Sequence, residues 1–314
     1  MAENLNRWNR MLPDFWVHRR ELNSRQAIFH QWAQLEKSGC IHNFRLAAGE
    51  AEGFREGWFF ADSDAYKWLE AACRILGASP DTKLAQLVDD FIDLIRRAQC
   101  PDGYIFTYNQ LHFPAIRWRN LQIEHELYCH GHLIEAGVTR FETTGERDLL
   151  EIARRAADRI VADFRGKGPA FTPGHEEIEI ALLRLHRVTP GDTTYLEMAR
   201  QFLEQRGRTA GFALSILQQN INAGERTKAV QKAKQAYLLE HPDQQTYQLP
   251  HGNEAKKPPF STIRWYASAL SGKYFQQHAP IREQIVPVGH SVRFAYLETA
   301  AAMLADITHD KTLI

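Results

Sequence analysis

Between Ile123 and Ile160 the apolar positions recur three and four residues apart on either side of one turn. The first half predicts a helix over about Leu127–Phe141, followed by a turn at Thr144, Gly145 and Glu146. The second half predicts a helix from Arg147 with Leu149, Ile152, Ala153, Ala156 and Ile160 on one face. A stripe of that kind needs a partner helix to cover it, so the stretch reads as an antiparallel helix pair. The pattern recurs. Ser63–Gln99 forms a pair with Asp62 or Ser63 as N-cap and Leu84, Leu87, Val88, Phe91, Ile92 and Ile95 on its second helix. Residues 174–207 form another, with Ile178, Ala181, Leu182 and Leu185 before a Thr189-Pro190-Gly191-Asp192 turn and Tyr195, Leu196, Ala199, Phe202 and Leu203 after it. A further pair opens at Gly289-His290 with Val292, Ala295, Tyr296, Ala300, Met303 and Leu304, and Lys311 to Ile314 would start its second helix.

Repeated helix hairpins stack into a superhelix or close into a toroid. The fold class is therefore all-α, read as one helical-barrel domain over 1–314 with an insertion at 208–270 that carries some helix. The last hairpin leaves Tyr296, Met303 and Leu304 short of cover, so the chain is expected to be the front part of a longer protein. The other segments are less periodic. Arg25–Lys37 predicts a helix with Ile28, Trp32 and Leu35 on one side, Asn43–Trp58 an irregular segment, and Cys100–Asn120 a loop around a Pro-Asp-Gly turn.

Composition narrows the function. Lys+Arg and Asp+Glu both number 38, so no basic surface argues for nucleic acid. No apolar run reaches the length of a signal peptide or of a membrane span. The four cysteines (Cys40, Cys73, Cys100, Cys129) are scattered without a C-x-x-C pair, which fits reduced thiols in a cytoplasmic protein. No phosphate loop, G-x-S-x-G or dinucleotide fingerprint is present.

The candidate chemistry lies in Gly-His, which recurs at 131–132, 174–175 and 289–290, at or near helix heads. Imidazoles there would line one rim and bond ligand hydroxyls; capping is the plain structural alternative. His175 and His290 open their helices. His132 falls inside its helix, so His125 is preferred there, and His130 is expected to be structural or exposed. Glu126 is placed to orient His125. Carboxylates abound (Asp62, Asp64, Glu70, Glu124, Glu126, Glu176, Glu177, Glu179), and each is more simply a cap or an ion pair, as Asp64 with Lys67 at helical spacing. Cys129 and His132 share a helix face, but no third metal ligand is evident.

Several long strings then resemble glycoside hydrolase family 127, the β-L-arabinofuranosidase family: FADSDAYKWLEAA (60–72), AQCPDGYIFT (98–107), EHELYCHGHLIEAGVTRFETTGERDLLEIARRAADRI (124–160), GHEEIEIALLRLHRVTPGDTTYLEMARQFLEQRG (174–207) and YFQQHAPIREQIVPVGHSVRFAYL (274–297). The resemblance implies an (α/α)6 barrel that removes terminal β-L-arabinofuranosyl groups with retention. It implies a zinc-bound cysteine thiolate as nucleophile and a glutamate as acid/base. It implies sugar contacts at Gln31, His125, His175 and His290, and an L-arabinofuranosyl-containing saccharide as partner. In that family the zinc ligands, one Glu and three Cys, follow the GHSVR helix, so this chain is expected to lack them. A homo-oligomer or a complementing chain could fill the barrel. Two other readings stand beside this one: a non-catalytic helical-repeat protein that binds a sugar or a protein, and an (α/α)-barrel epimerase with histidine acid and base.

Overall fold

The repeated stripes fold into antiparallel hairpins arranged in two layers. The structure, a computed structural model, describes residues 13–243 and 259–313, and no strand occurs among them. The helices are α1 (Pro13–Leu22), α2 (Ile28–Lys37), α3 (Cys40–Ala47), α4 (Ala61–Ala78), α5 (Thr82–Ala98), α6 (Thr107–His112), α7 (Glu126–Thr144), α8 (Asp148–Phe164), α9 (Glu177–Val188), α10 (Thr194–Gln205), α11 (Phe212–Glu240), α12 (Pro259–Leu270) and α13 (Ser291–Thr308). An inner layer runs α2, α4, α7, α9, α13, each helix packing on the next. The outer helices α3, α5, α8 and α10 lie behind it. This is the layering of an (α/α) barrel.

The outer helices show why the pattern was readable. On α8, Leu149, Ile152, Ala153, Ala156, Ile160 and Phe164 are all buried. Each large aliphatic or aromatic side chain contributes roughly 1.5–3 kcal/mol when fully buried. Asp81 caps α5 by accepting from the Leu84 amide at 2.8 Å. Gly145 ends α7 in the left-handed region at φ +79°, as the predicted turn requires. Two large apolar cores and a small third one of Ile216, Ala269 and Phe275 result, and Trp118 and Tyr296 pack against both large ones.

Four expectations change. Cys40–Ala47 is a helix where irregular chain is predicted from Asn43, although 48–60 is irregular. The Cys100–Asn120 loop contains α6, whose first amide, Thr107 N, donates to buried Asp62 at 2.7 Å. Asp62 and Ser63 therefore sit in the first turn of α4 and do not cap it; Phe60 holds the cap position. Of the three α13 residues expected to lack cover, Leu304 is buried and Tyr296 and Met303 are half-exposed.

The segment read as an insertion is dominated by α11, a helix of 29 residues. It straps loops that precede the inner helices. Arg226 pairs with Glu124 at 3.0 Å, Gln219 accepts from the Gln122 amide at 2.8 Å, and Lys234 pairs with Glu56 at 2.6 Å. The part of the insertion at 244–258 lies outside the described residues.

Candidate functional site

The heads of α7, α9 and α13 converge at one end of the inner layer. They bring together His125, His175 and His290. The His125 and His175 rings lie 5.3 Å apart between centroids, and His175 and His290 lie 6.4 Å apart. Glycine makes this approach possible. A Cβ on Gly174 would fall 2.3 Å from the Gln122 Cα, and one on Gly289 would fall 2.0 Å from the Lys273 carbonyl oxygen. Gly-His is thus a packing device that lets the loop backbone touch its neighbour and turns the next side chain inward.

Aromatic rings wall the cluster. His125 lies between Phe59 (5.3 Å) and Phe60 (5.5 Å). Tyr128 stands 4.4 Å from His175, Tyr296 5.4 Å from His175, and Tyr274 5.4 Å from His290. The rings bury His175 and half-bury His125 and His290, and burial disfavours the charged form. His125 is pushed down to about 3, first by burial and then by Arg293. The same causes lower His175 and His290. All three are neutral at pH 7. Two tautomers follow from local hydrogen bonds. His125 Nδ1 lies 3.1 Å from the Ile123 carbonyl and donates to it, which leaves Nε2 as an acceptor. His290 Nδ1 accepts from the Arg293 amide at 3.4 Å, which leaves Nε2–H as a donor. The cluster therefore offers both a hydrogen-bond acceptor and a donor, the pair that a sugar hydroxyl needs.

The remaining candidates separate. His130 is structural, as expected: it is fully buried between Tyr104 and Trp118, with Nδ1 2.8 Å from the Glu126 carbonyl. Gln31 is exposed on α2 and is not brought to the histidines by any hydrogen bond among the described residues. Glu126 does not orient His125. It turns away to accept from Tyr104, from Asn109 Nδ2 at 3.0 Å and from the Trp118 amide at 2.8 Å. Asp64 and Lys67 do pair, at 4.0 Å. Asp62, Glu70, Glu124, Glu176 and Glu179 each face an arginine. Reasoning from sequence missed Tyr128, Tyr274, Tyr296 and Arg293. Tyr128 and Arg293 lie one helical turn after His125 and His290, and that spacing was the available signal.

Glu126 carries a pH prediction. Burial pushes its carboxyl up to about 7 despite three donors. An acid raised in the folded state contributes stability that is full below the ordinary glutamate range and lost as pH rises through the folded value. Glu126→Gln is expected to flatten the fall in stability between about pH 5 and 8. Urea midpoints across that range measure it, and an unchanged slope would place the titration elsewhere.

The family-level comparison decides what this scaffold is. The catalytic-domain model of the GH127 β-L-arabinofuranosidases matches residues 9–314. The chain belongs to the GH127 family. A non-reducing end β-L-arabinofuranosidase of Bifidobacterium longum subsp. longum is 31% identical over 325 residues, which cover 96% of this chain and 44% of that protein. The crystal structure of a GH127 β-L-arabinofuranosidase from Geobacillus stearothermophilus T6 superposes with a TM-score of 0.76 at 37% identity, covering 95% of this chain and 42% of that one. A further GH127 β-arabinofuranosidase structure gives 0.69 at 28% identity, over 95% of this chain and 39% of that one. The chain thus spans less than half the length of the relatives it matches.

The cysteines of this GH127 chain do not fit a thiolate zinc centre. Cys40, Cys73 and Cys129 are buried and Cys100 is half-buried, all four are free, and no candidate metal cluster among the described residues includes any of them. Burial pushes Cys73 up to about 12 and raises the other three. A metal-binding or nucleophilic cysteine needs the opposite shift. No helix among the described residues is long and apolar enough to cross a membrane.

Proposed function

We propose that this chain is the sugar-binding side of a β-L-arabinofuranosidase barrel. In this reading His125, His175 and His290 hold a terminal L-arabinofuranosyl group by its hydroxyls. The observation that carries it is the meeting of three neutral imidazoles from three inner helices, walled by aromatic rings. Rings of this kind pack on sugar C–H faces, while neutral nitrogens exchange hydrogen bonds without the desolvation penalty of a charge. Gln31 joins the set on the family resemblance alone.

The same reading gives the chain no nucleophile, because its thiols are held protonated. An epimerase that uses histidine as acid and base fits poorly: an imidazole lowered to about 3 is not in the imidazolium form that a general acid needs at neutral pH. The free cysteines support a cytoplasmic setting.

Calorimetry with methyl β-L-arabinofuranoside tests the binding claim. Saturable uptake is expected, with a pyranoside of the same sugar binding less well. Incubation with an aryl β-L-arabinofuranoside, zinc and a thiol reductant tests the rest. Release of the aryl group is expected to stay at background; robust turnover would overturn the assignment of the chemistry to residues other than these.

A further inference from the structure

Below the histidine cluster, two turns further along α7, lies a second polar group that the sugar reading does not use. His132 is 4% exposed, and neither ring nitrogen has a hydrogen-bond partner. Glu177, at the start of α9, is fully buried with both carboxylate oxygens unpartnered. The two face each other, His132 Nδ1 lying 3.4 Å from Glu177 Oε1. Glu135, one turn after His132, places Oε2 3.9 Å from the same nitrogen. Its other oxygen is already engaged by Arg184 at 2.9 Å.

Buried polar atoms are ordinarily satisfied, so a group of unpartnered ones pointing at one another calls for a shared partner. Charge points the same way. Glu70, Glu135, Glu142 and Glu177 crowd this region, and the cations facing them are Arg184, Arg74 and Lys67. Arg184 touches Glu70, Glu135 and Glu142 but not Glu177. The donor atoms of His132, Glu135 and Glu177 all lie within 4.8 Å of one another. Nitrogen and oxygen ligands about 2.0–2.2 Å from a tetrahedral ion sit roughly 3.3 Å apart. The distance from His132 to Glu177 already meets that spacing, and Glu135 Oε2 lies 3.9 Å from the same nitrogen.

We propose that His132, Glu135 and Glu177 form a binding site for a divalent transition-metal ion such as Zn2+. The ligand set is one imidazole and two carboxylates, which suits a borderline metal. Tyr128 joins the two groups: its ring lies 4.5 Å from His132 and 4.4 Å from His175. A bound cation would replace a buried carboxylate's missing partner and tie α7 to α9. A metal ligand must be unprotonated: burial lowers His132 to about 3 and keeps it neutral at pH 7, whereas burial and then Glu135 raise the Glu177 carboxyl, so an ion that binds here displaces the proton shared by Glu135 and Glu177.

The test uses the full chain, stripped with a chelator and titrated with Zn2+ in the absence of sugar. Uptake of one equivalent is expected, with a rise in melting temperature. Glu177→Gln and His132→Asn should each weaken uptake by tenfold or more. No uptake at submillimolar Zn2+ would overturn the proposal and leave Glu135 and Glu177 as a proton-sharing pair. Uptake unchanged in both variants would overturn it too, since the ion would sit elsewhere. If either variant loses cooperative unfolding, anomalous scattering at the zinc edge from wild-type crystals decides. A peak between His132 and Glu177 supports the site, and a map without one there contradicts it.

Discussion

Arg206→Met is expected to destabilise the chain by about 3–5 kcal/mol, the usual penalty for removing one partner of a buried ion pair. Arg206 is fully buried beyond the end of α10. It lies 3.0 Å from Glu176 and 2.9 Å from Glu179, and it donates to the carbonyls of Pro173 at 3.1 Å and Phe275 at 3.3 Å. Those partners belong to the segments that carry His175 and lead toward His290. One guanidinium therefore staples the α9 head to the segment before α13. Removing it leaves buried Glu176 facing Arg293 alone and buried Glu179 without its cation. Burial already pushes Glu176 up to about 8 against the pull of Arg206 and Arg293. Without Arg206, Glu176 and Glu179 rise further, and their ionised forms become costlier. The sign follows: carboxyls raised in the folded state lose stability as pH rises, so the deficit should shrink toward acid and grow above neutrality. Chemical denaturation at two pH values checks both the size and the trend. A loss below about 1 kcal/mol at neutral pH would show that the pair is no more than an exposed contact in energetic terms.

The second large effect falls on binding and leaves folding mostly intact. His175→Ala is expected to weaken methyl β-L-arabinofuranoside binding at least roughly tenfold, since one lost hydrogen bond of about 1.4 kcal/mol is worth that factor. The double variant with His125→Ala should remove any sugar-induced rise in melting temperature. Stability behaves differently. Burial lowers the folded pKa of His175, so its contribution is full above the ordinary histidine range and is lost as pH falls below it. The alanine variant should therefore unfold less readily in acid than wild type does, relative to neutral pH. An unchanged sugar-induced shift would show that neither residue touches the sugar.

What could be read from the sequence follows from how each helix is buried. Outer helices such as α5 and α8 have one dry face, so their stripes are clean and their hairpins were legible. Inner helix α7 is buried almost throughout from Glu126 to Arg140, with Glu126, His130 and His132 among the buried residues. No single apolar face marks it, and its ends had to be read from Gly145 and the motif. The short helix α6 begins where Asp62, far away in sequence, accepts from Thr107. A cap supplied by the tertiary fold leaves no local signature, and α6 read as loop. Helix α11 carries few buried residues and is held by Arg226, Gln219 and Lys234 through partners supplied by distant segments. Its role as a strap was invisible for the same reason.

The site divides along the same line. Gly-His was legible because the glycine requirement is local and repeats. Which histidine faces inward was partly legible: His125 and His290 occupy helix N-cap positions, and His175 lies just before its helix. The partners of His132 were not, because Glu177 arrives from a neighbouring helix. Spacing alone puts Cys129 and His132 on one helix face and offers no third ligand. Cys129 in fact turns away, with Sγ 3.8 Å from the Phe60 carbonyl, while Glu135 and Glu177 supply the other donors.

The central claim is that the three converging imidazoles touch the sugar. Imidazole nitrogen-15 spectra of the full chain, recorded while methyl β-L-arabinofuranoside is added, address it directly. The account predicts that the Nε2 signals of His125, His175 and His290 move together and saturate with the sugar, while buried His130 stays still. Saturable sugar binding that leaves those three signals unmoved would contradict it.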